Sequence, residues 1–291
     1  MLKRAAIFSQ DKSRKTIECV SHLVKDLCLR GTSLSIYEKA GEYSSCRGEG
    51  IEKFSDLRSL KEKPDIAFSV GGDGTYLETI MMVRSLNIPV AGINTGRLGF
   101  LANIPGDDIV PSLDLLYSGS YDIIERSLLS ITEPSGLFGD SGAFALNEVT
   151  IQKADLNMIT VHVYADDVYL NTYWSDGLIV STATGSTAYN LSAGGPILTP
   201  SDTSIVISPI SPHNLTIRPI ILNGTSSLKM IVEGRGTEYL ATCDFRWQKL
   251  PFTTVVKISQ PEERLRTVLL HGTDFFSTLR TKLMWGADKR N

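Results

Sequence analysis

Val70-Gly71-Gly72-Asp73-Gly74-Thr75 is the stretch that decides the fold. It follows the short apolar run 65–69, which predicts a buried strand, and it precedes apolar residues at helical spacing from Tyr76 to Val83. Three glycines in four residues allow a sharp turn and a close approach of the backbone to a ligand. The stretch therefore predicts a strand, a glycine turn and a helix, whose first N–H groups suit an anionic phosphate.

Asp73 is an unexpected residue in such a turn, because a carboxylate repels phosphates. A carboxylate there can hold a cation or accept a proton from an attacking hydroxyl. The alternative is an Asp-Gly turn that merely ends a strand. The stretch is neither a Walker loop, whose lysine it lacks, nor a dinucleotide fingerprint, whose third glycine is absent.

Length and composition limit the possible classes of protein. The chain has 291 residues, of which 42% are hydrophobic and 21% charged, as expected for a soluble globular protein of one large or two ordinary domains. The net charge of -3 gives no electrostatic footprint for nucleic acid or an anionic membrane. The first apolar run stops at Ser9, too early for a signal peptide, and no stretch approaches the ~20 apolar residues of a membrane span.

The cysteines and histidines predict no metal centre. The four cysteines form no C-x-x-C pair and read as reduced thiols of a cytoplasmic protein. The four histidines are scattered without metal-ligand spacing. We therefore expect no dedicated protein metal site.

The hydrophobic pattern divides the chain. Residues 1–121 alternate strands and helices, which predicts an α/β domain with a Rossmann-like parallel sheet and a ligand beyond the carboxyl ends of its strands. Within this range we expect a loop at 41–50 and a weak helix through Phe54, Leu57 and Leu60. Residues 122–270 contain many short runs rich in Val, Ile, Thr and Tyr, which predicts a mainly antiparallel β-sandwich. Its predicted strands include a hairpin around 165–167 and the runs 216–222 and 267–270. Residues 271–291 contain a helix that we expect to pack back on the first domain, although a free partner-binding helix would show the same pattern.

A second glycine turn runs from Asn94 to Ala102, after another predicted strand. We expect it beside the first turn, because both follow strands of one sheet. Arg97 could bind phosphate oxygens, and equally it could cap the turn or face water.

Polar stretches of the second domain are candidates for ligand binding. Residues 181–196 combine small hydroxyls, an amide, a phenol and three glycines after a strand that Asp176 precedes. Such a run can bind sugar hydroxyls or a base edge, or it is an irregular loop whose hydroxyls cap themselves. Asn147 and Glu148 could serve one ligand only if their strand ends there, since adjacent strand residues face opposite ways.

Five segments together resemble the bacterial-type NAD kinases: residues 71–75, 94–102, 145–148, 175–196 and 209–219. The resemblance implies transfer of the γ-phosphate of ATP, or of another phosphoryl donor, to the 2′-hydroxyl of the adenosine ribose of NAD, giving NADP. It also implies a divalent metal ion such as Mg²⁺ with the donor phosphates, and a homodimer or homotetramer. The rival interpretations are a lipid kinase of the same superfamily and a non-catalytic NAD(P)-binding regulator.

The same resemblance implies site residues. Asp73 corresponds to the proton acceptor. The NAD-binding positions are Asp73, Gly74, Asn147, Glu148, Asp176, Thr187, Ala188, Tyr189, Asn190, Ser192 and Ser211. The donor-binding positions are Gly71, Gly72, Gly74, Thr75 and Arg97. Two positions depart from the family pattern: Glu78 stands where a basic residue is frequent, and Arg246 stands where a glutamine is usual.

Overall fold

The computed structural model describes residues 2–41, 51–96, 99–139 and 142–286. Arg97, Cys46 and most of the loop predicted at 41–50 lie outside these ranges. The chain forms two compact units: the first comprises Met1–Glu125 and Leu265–Asn291, and the second comprises Arg126–Arg264. The domain boundaries at 121 and 270 stay predictions.

Six helices lie in the described residues: α1 (Arg14–Leu29), α2 (Glu38–Gly41), α3 (Asp73–Val83), α4 (Ile109–Ser118), α5 (Tyr189–Ser192) and α6 (Phe275–Leu283). Helix α1 begins at the Ser13 cap, whose side chain accepts from the N–H of Thr16. It stops before Gly31, whose φ is +76°. Helix α3 buries Tyr76, Ile80 and Val83, the face that the sequence predicts.

The first unit is built on a mostly parallel sheet. In the described residues its strands are β1 (Arg4–Phe8), β2 (Ser33–Tyr37), β3 (Glu52–Phe54), β4 (Ile66–Gly71), β5 (Val90–Asn94), β6 (Ile104–Pro105), β7 (Tyr121–Arg126) and β20 (Leu265–Leu270). Their order is β3-β2-β1-β4-β5-β20-β7, and β6 also pairs with β5. Every residue of β4 and β5 is buried, as expected for strands covered on both faces. The predicted Rossmann-like parallel sheet is confirmed.

The second unit contains two antiparallel sheets. Its strands in the described residues are β8 (Leu129–Glu133), β9 (Phe144–Ala145), β10 (Glu148–Lys153), β11 (Ile159–Ala165), β12 (Val168–Ser175), β13 (Gly177–Ser181), β14 (Ile205–Ile210), β15 (Ile220–Leu222), β16 (Leu228–Glu233), β17 (Glu238–Cys243), β18 (Arg246–Pro251) and β19 (Val256–Ser259). One sheet runs β15-β14-β13-β10-β17-β18 and the other β12-β11-β16-β19-β8-β9. Alternate residues of both sheets, such as Ile151 and Val161, form one buried core, so the predicted β-sandwich is confirmed.

Three predicted elements differ in the structure. The weak helix predicted through Phe54 and Leu60 is wrong: Phe54 ends β3, and only a 3-10 turn follows at Leu57–Ser59. The strand predicted at 216–222 shrinks to β15, because the Asn214 side chain accepts from the N–H of Thr216 and holds a turn there. The strand predicted at 267–270 exists as β20, but it pairs with β5 in the first sheet. No helix of the described residues is long and apolar enough to cross a membrane.

Candidate active site

The first glycine turn lies at the carboxyl end of β4. Gly71 ends the strand, and Gly72 is the N-cap of α3, whose first residue is Asp73. Gly71 has φ +156°, and a Cβ there would lie 2.3 Å from the Thr75 hydroxyl oxygen, so only glycine fits. Gly72 and Gly74 are exposed, and a Cβ on either would meet no atom within 4 Å. The backbone of the turn is therefore open to a ligand.

The Asp73 carboxylate is held by the second glycine turn. The N–H of Phe100 donates to Oδ2, and the N–H groups of Leu101 and Ala102 both donate to Oδ1, each at 3.1 Å. The sheet brings the two turns together, because Gly71 pairs with Asn94 across β4 and β5. The prediction that the two turns lie side by side is confirmed, whereas no sequence pattern indicated that the carboxylate binds these amides.

Two further residues contact Asp73, and sequence reasoning singled out neither. Gly99 is buried, and a Cβ there would lie 1.9 Å from Asp73 Oδ1. The N–H groups of residues 100–102, here called the amide cradle, can therefore reach the carboxylate only with glycine at position 99. The ammonium of Lys282, on α6, lies 3.5 Å from Asp73 Oδ2. The second glycine of the turn was a visible signal for Gly99, but a lysine on the polar side of a terminal helix carries none for Lys282.

Buried hydroxyls fix the start of the second turn. Asn94 Oδ1 accepts from the N–H of Gly96 at 2.7 Å. The Thr95 hydroxyl lies 2.7 Å from that of Thr16, which donates to Asp11 at 2.6 Å. The hydrogen bond from Thr16 lowers the pKa of Asp11. Arg97, the one charged candidate of this turn, lies outside the described residues.

In the second unit, Asn147 and Glu148 stand where β10 begins, which is the condition for both to serve one ligand. The Asp244 carboxylate accepts from the N–H groups of Leu146, Asn147 and Glu148, at 2.9, 2.8 and 3.2 Å. Burial raises the pKa of Asp244, while these three bonds oppose the shift. A carboxylate thus holds a chain segment by three amides in each unit.

Glu148 is a buried carboxyl with spare hydrogen-bonding capacity. It is 8% exposed, and its Oε2 has no hydrogen-bond partner in the part of the chain that the structure describes. Burial raises the pKa of Glu148 to about 8, the nearby Asp244 adds to the rise, and the N–H of Tyr189 opposes it. At neutral pH its carboxyl can therefore donate as well as accept, which suits a sugar hydroxyl.

The polar run 181–196 folds beside Asn147. The N–H of Thr182 donates to the Asn147 carbonyl at 2.9 Å, and its hydroxyl donates to the Leu146 carbonyl at 2.6 Å. A 3-10 turn at Thr184–Thr187 and α5 follow. Tyr189 and Ser192 are exposed there, and the residues between Thr184 and Tyr189 that the family pattern marks, Thr187 and Ala188, are half-buried.

Asn190 is different from its neighbours, because its side chain is fully buried. Its amide donates to the carbonyls of Ser186 and Pro196, at 3.2 and 3.1 Å, and its Oδ1 accepts from the Ser208 hydroxyl at 2.6 Å. The side chain therefore ties the polar run to β14.

Asp176 and Ser211 lie at the other end of the same strands. Glu148 pairs with Ser181 across β10 and β13, whereas Asp176 precedes the far end of β13. Its carboxylate forms an ion pair with Lys153 at 2.7 Å, and its N–H donates to the Ile210 carbonyl, next to Ser211. At about 3.4 Å per residue, the length of β10 separates Asp176 from Glu148 by roughly 17 Å. The structure thus forms two groups of candidates in the second unit.

Arg246 and Glu78, the two residues that depart from the family pattern, are both influenced by neighbouring groups. Arg246 Nη1 donates to the Gly142 carbonyl at 2.6 Å, and its guanidinium lies 5.2 and 5.0 Å from the ring centroids of Phe138 and Phe144. The guanidinium is therefore engaged within the second unit. Burial raises the pKa of Glu78, and the charge of Lys39 opposes the rise.

The described residues contain no group of three or more His, Cys, Asp or Glu that could hold a metal ion. A glycine turn that ends a parallel strand and carries an acid suits a nucleotide-dependent phosphotransferase, the class to which the matched family belongs. Residues 10–121 match the ATP-NAD kinase N-terminal domain and residues 146–270 the ATP-NAD kinase C-terminal domain.

The chain belongs to the ATP-NAD kinase family. It is 38% identical over 293 residues to the NAD kinase of Flavobacterium psychrophilum, covering 99% of this chain and 100% of the relative. It is 45% identical over 230 residues to that of Cytophaga hutchinsonii, covering 79% and 78%. Its activity is ATP-dependent phosphorylation of NAD to NADP.

Solved structures share the fold. Yeast NADH kinase complexed with NADH superposes with a TM-score of 0.85 at 20% identity, covering 99% of this chain and 89% of the other. An NAD kinase from Archaeoglobus fulgidus in complex with ATP superposes with a TM-score of 0.70 at 22% identity, covering 98% of both chains. The α/β-plus-sandwich architecture is therefore that of known NAD kinase structures.

Proposed function

We propose that Asp73 accepts the proton of the adenosine ribose 2′-hydroxyl of NAD as the γ-phosphoryl group of ATP is transferred to it. The observation that carries this role is the hydrogen bonding of the carboxylate. Three N–H groups fix its plane, two on Oδ1 and one on Oδ2. Each carboxylate oxygen has two acceptor positions, so Oδ2 keeps one for a substrate hydroxyl.

Phosphoryl transfer depends on such positioning. Its transition state is loose, so catalysis consists mainly of alignment and charge stabilisation. A sugar hydroxyl is a poor nucleophile at neutral pH, and a positioned general base is worth roughly 10²–10⁴ in rate. A carboxylate that is already immobilised by amides needs no reorganisation when the hydroxyl arrives.

The donor phosphates bind at the first turn in this proposal. The exposed backbone of Gly72 and Gly74 and the N-terminus of α3 provide N–H groups and a favourable dipole. Gly71, Thr75 and Arg97 complete the proposed donor site. A divalent ion that arrives with the phosphates and keeps its waters needs few protein ligands, so the proposal requires no dedicated protein metal site. When bound, the ion would neutralise charge on the donor phosphates.

NAD binds to the polar loop of the second unit and to further residues of both units. The proposed contacts are Asp73, Gly74, Asn147, Glu148, Asp176, Thr187, Ala188, Tyr189, Asn190, Ser192 and Ser211. The exposure of Tyr189 and Ser192 and the unbonded Oε2 of Glu148 support direct contact. The internal bonds of the Asn190 side chain support a role in holding the loop.

A homodimer or homotetramer in the cytoplasm is part of the same proposal. Asp176 and Ser211 lie at the opposite end of β13 from the Glu148 group, so a second subunit could use one group while its neighbour uses the other. The buried thiols of Cys19 and Cys243 form no disulfide, which is compatible with a reducing compartment. In functional terms, we assign the donor turn to residues 1–121, NAD binding to 122–270, and packing on the first domain to 271–291.

The test is Asp73→Asn in a direct NADP assay with ATP or polyphosphate as donor, with and without a chelator. We expect kcat to fall by about 10²–10⁴ with NAD binding retained. Asparagine also loses one acceptor oxygen, so thermal unfolding is measured in parallel. The matched control is Asp65→Asn, since Asp65 Oδ2 likewise accepts from two backbone N–H groups, those of Lys3 and Arg4. If Asp73→Asn turned over at the wild-type rate, or if Asp65→Asn lost as much activity, Asp73 would not be the base.

A further inference from the structure

The ammonium of Lys282 contacts Asp73, the carboxylate that we propose as the proton acceptor. Lys282 lies in the last turn of α6, and its ammonium is 3.5 Å from Asp73 Oδ2. The same ammonium lies 4.3 Å from the ring centroid of Phe100, whose N–H donates to that oxygen. Acid, ring and ammonium thus form one cluster at the first residue of α3.

We propose that Lys282 is a donor-binding residue, whose ammonium binds the terminal phosphate of ATP during transfer. This inference rests on the proposed role of Asp73. A hydroxyl that donates to Asp73 lies about 3 Å from the carboxylate, and the attacked phosphorus lies about 3.5 Å beyond it. The terminal phosphorus is therefore within about 6.5 Å of Oδ2, a distance that the lysine reaches by rotating its side chain.

Charge explains why a cation belongs at this place. Asp73 would repel the donor phosphates, and an ammonium between them offsets that repulsion. At 3.5 Å the ammonium forms an ion pair with Asp73 and no hydrogen bond, so its three donors are not committed to the carboxylate. Both side chains are about one-third exposed, so a ligand can reach them.

The way in which α6 is anchored allows Lys282 to move from Asp73 to a phosphate. Asp274 caps the helix by accepting from the N–H of Ser277, and the Phe275 ring lies 6.3 Å from that of Phe100. Leu279 is the buried residue of the helix, and the positions that follow it, 280–286, are exposed. The helix is therefore anchored at its start, and Lys282 projects from the less constrained end.

The experiment compares Lys282→Met with Arg280→Met in the full chain. Arg280 is an exposed cation two positions earlier on α6, and two positions place the side chains about 200° apart on the helix. Loss of a charge-assisted bond to phosphate predicts a roughly 10- to 100-fold higher KM for ATP in Lys282→Met, with the KM for NAD unchanged or lower. Calorimetry with inorganic tripolyphosphate should show the same loss of affinity. Arg280→Met should match wild type.

Lys282→Arg separates charge from packing. If the ammonium binds phosphate, the arginine variant recovers the KM for ATP to within a few-fold. An unchanged KM for ATP in Lys282→Met, equal losses for ATP and NAD, or no recovery by arginine would each overturn the assignment. A failure of the proposed role of Asp73 would give a different result. Wild type would then bind both substrates, and Asp73→Asn would turn over at the wild-type rate.

Discussion

Replacing Gly99 by alanine tests whether the amide cradle around Asp73 governs catalysis. A Cβ at position 99 would lie 1.9 Å from Asp73 Oδ1, whereas ordinary contact begins at 3.4 Å. The carboxylate or the turn must therefore give way by about 1.5 Å, the difference between these two distances. The three N–H bonds, each 3.1 Å long, cannot all survive such a displacement.

The magnitude follows from the geometry. A misplacement of about 1 Å in a reacting group costs roughly 10² in rate, and each factor of ten is about 1.4 kcal/mol of barrier. We therefore expect Gly99→Ala to lower kcat about 100-fold or more, which corresponds to roughly 3 kcal/mol. The affinity for NAD should change much less, since most of the proposed NAD contacts lie in the second unit.

Gly96→Ala is the matched control. It adds the same methyl group to the same turn, but the nearest atom to its Cβ is Asn94 Oδ1 at 3.8 Å, an ordinary contact. Both variants are assayed for NADP formation under saturating ATP and NAD, and their folding is checked by thermal unfolding. Wild-type kcat in a folded Gly99→Ala, or an equal loss in Gly96→Ala, would refute the link between the cradle and turnover.

Two more predictions concern the second unit. Tyr189→Ala should weaken NAD binding about three- to tenfold, the scale of a lost aromatic contact, and should leave ATP binding unchanged in calorimetric titrations. The control is Tyr169→Ala, which truncates another exposed tyrosine. Equal losses of affinity for NAD and ATP in Tyr189→Ala would contradict the assignment. Burial raises the pKa of Glu148 from 4.5 to about 8, so between these pH values the folded state retains a proton that the unfolded state releases. The free energy of unfolding should therefore fall as pH rises through this range, by about 1 kcal/mol per pH unit. Glu148→Gln should flatten that dependence in urea titrations from about pH 5 to 8, whereas the exposed Glu238→Gln should not; an unchanged slope in Glu148→Gln would show that this carboxyl does not titrate as described.

Local patterns were sufficient for much of the fold. The alternation of strands and helices up to Gly119, the hairpin around Asp166 and the final helix all follow from periodicity and turn residues, and the structure contains them. Errors occurred where a few apolar residues fit two periods, as in the segment around Leu57. The partner of a strand was also not predictable: the short apolar run of β20 fits either sheet, and only the tertiary structure pairs it with β5.

The candidate site shows the same division between local and distant causes. The turn around Asp73 follows from its own glycines and from the apolar runs beside it, because these act over a few residues. Three other features join distant parts of the chain: the amide cradle of residues 100–102, the hydrogen bond from the N–H of Asn147 to Asp244, and the ion pair of Lys282 with Asp73. The sequence by itself determined which acid stands in the phosphate turn and which family the motifs resemble. Only the tertiary structure decided what holds that acid and which cation accompanies it, because hydrogen bonds and ion pairs between distant residues leave no periodic trace in a single sequence.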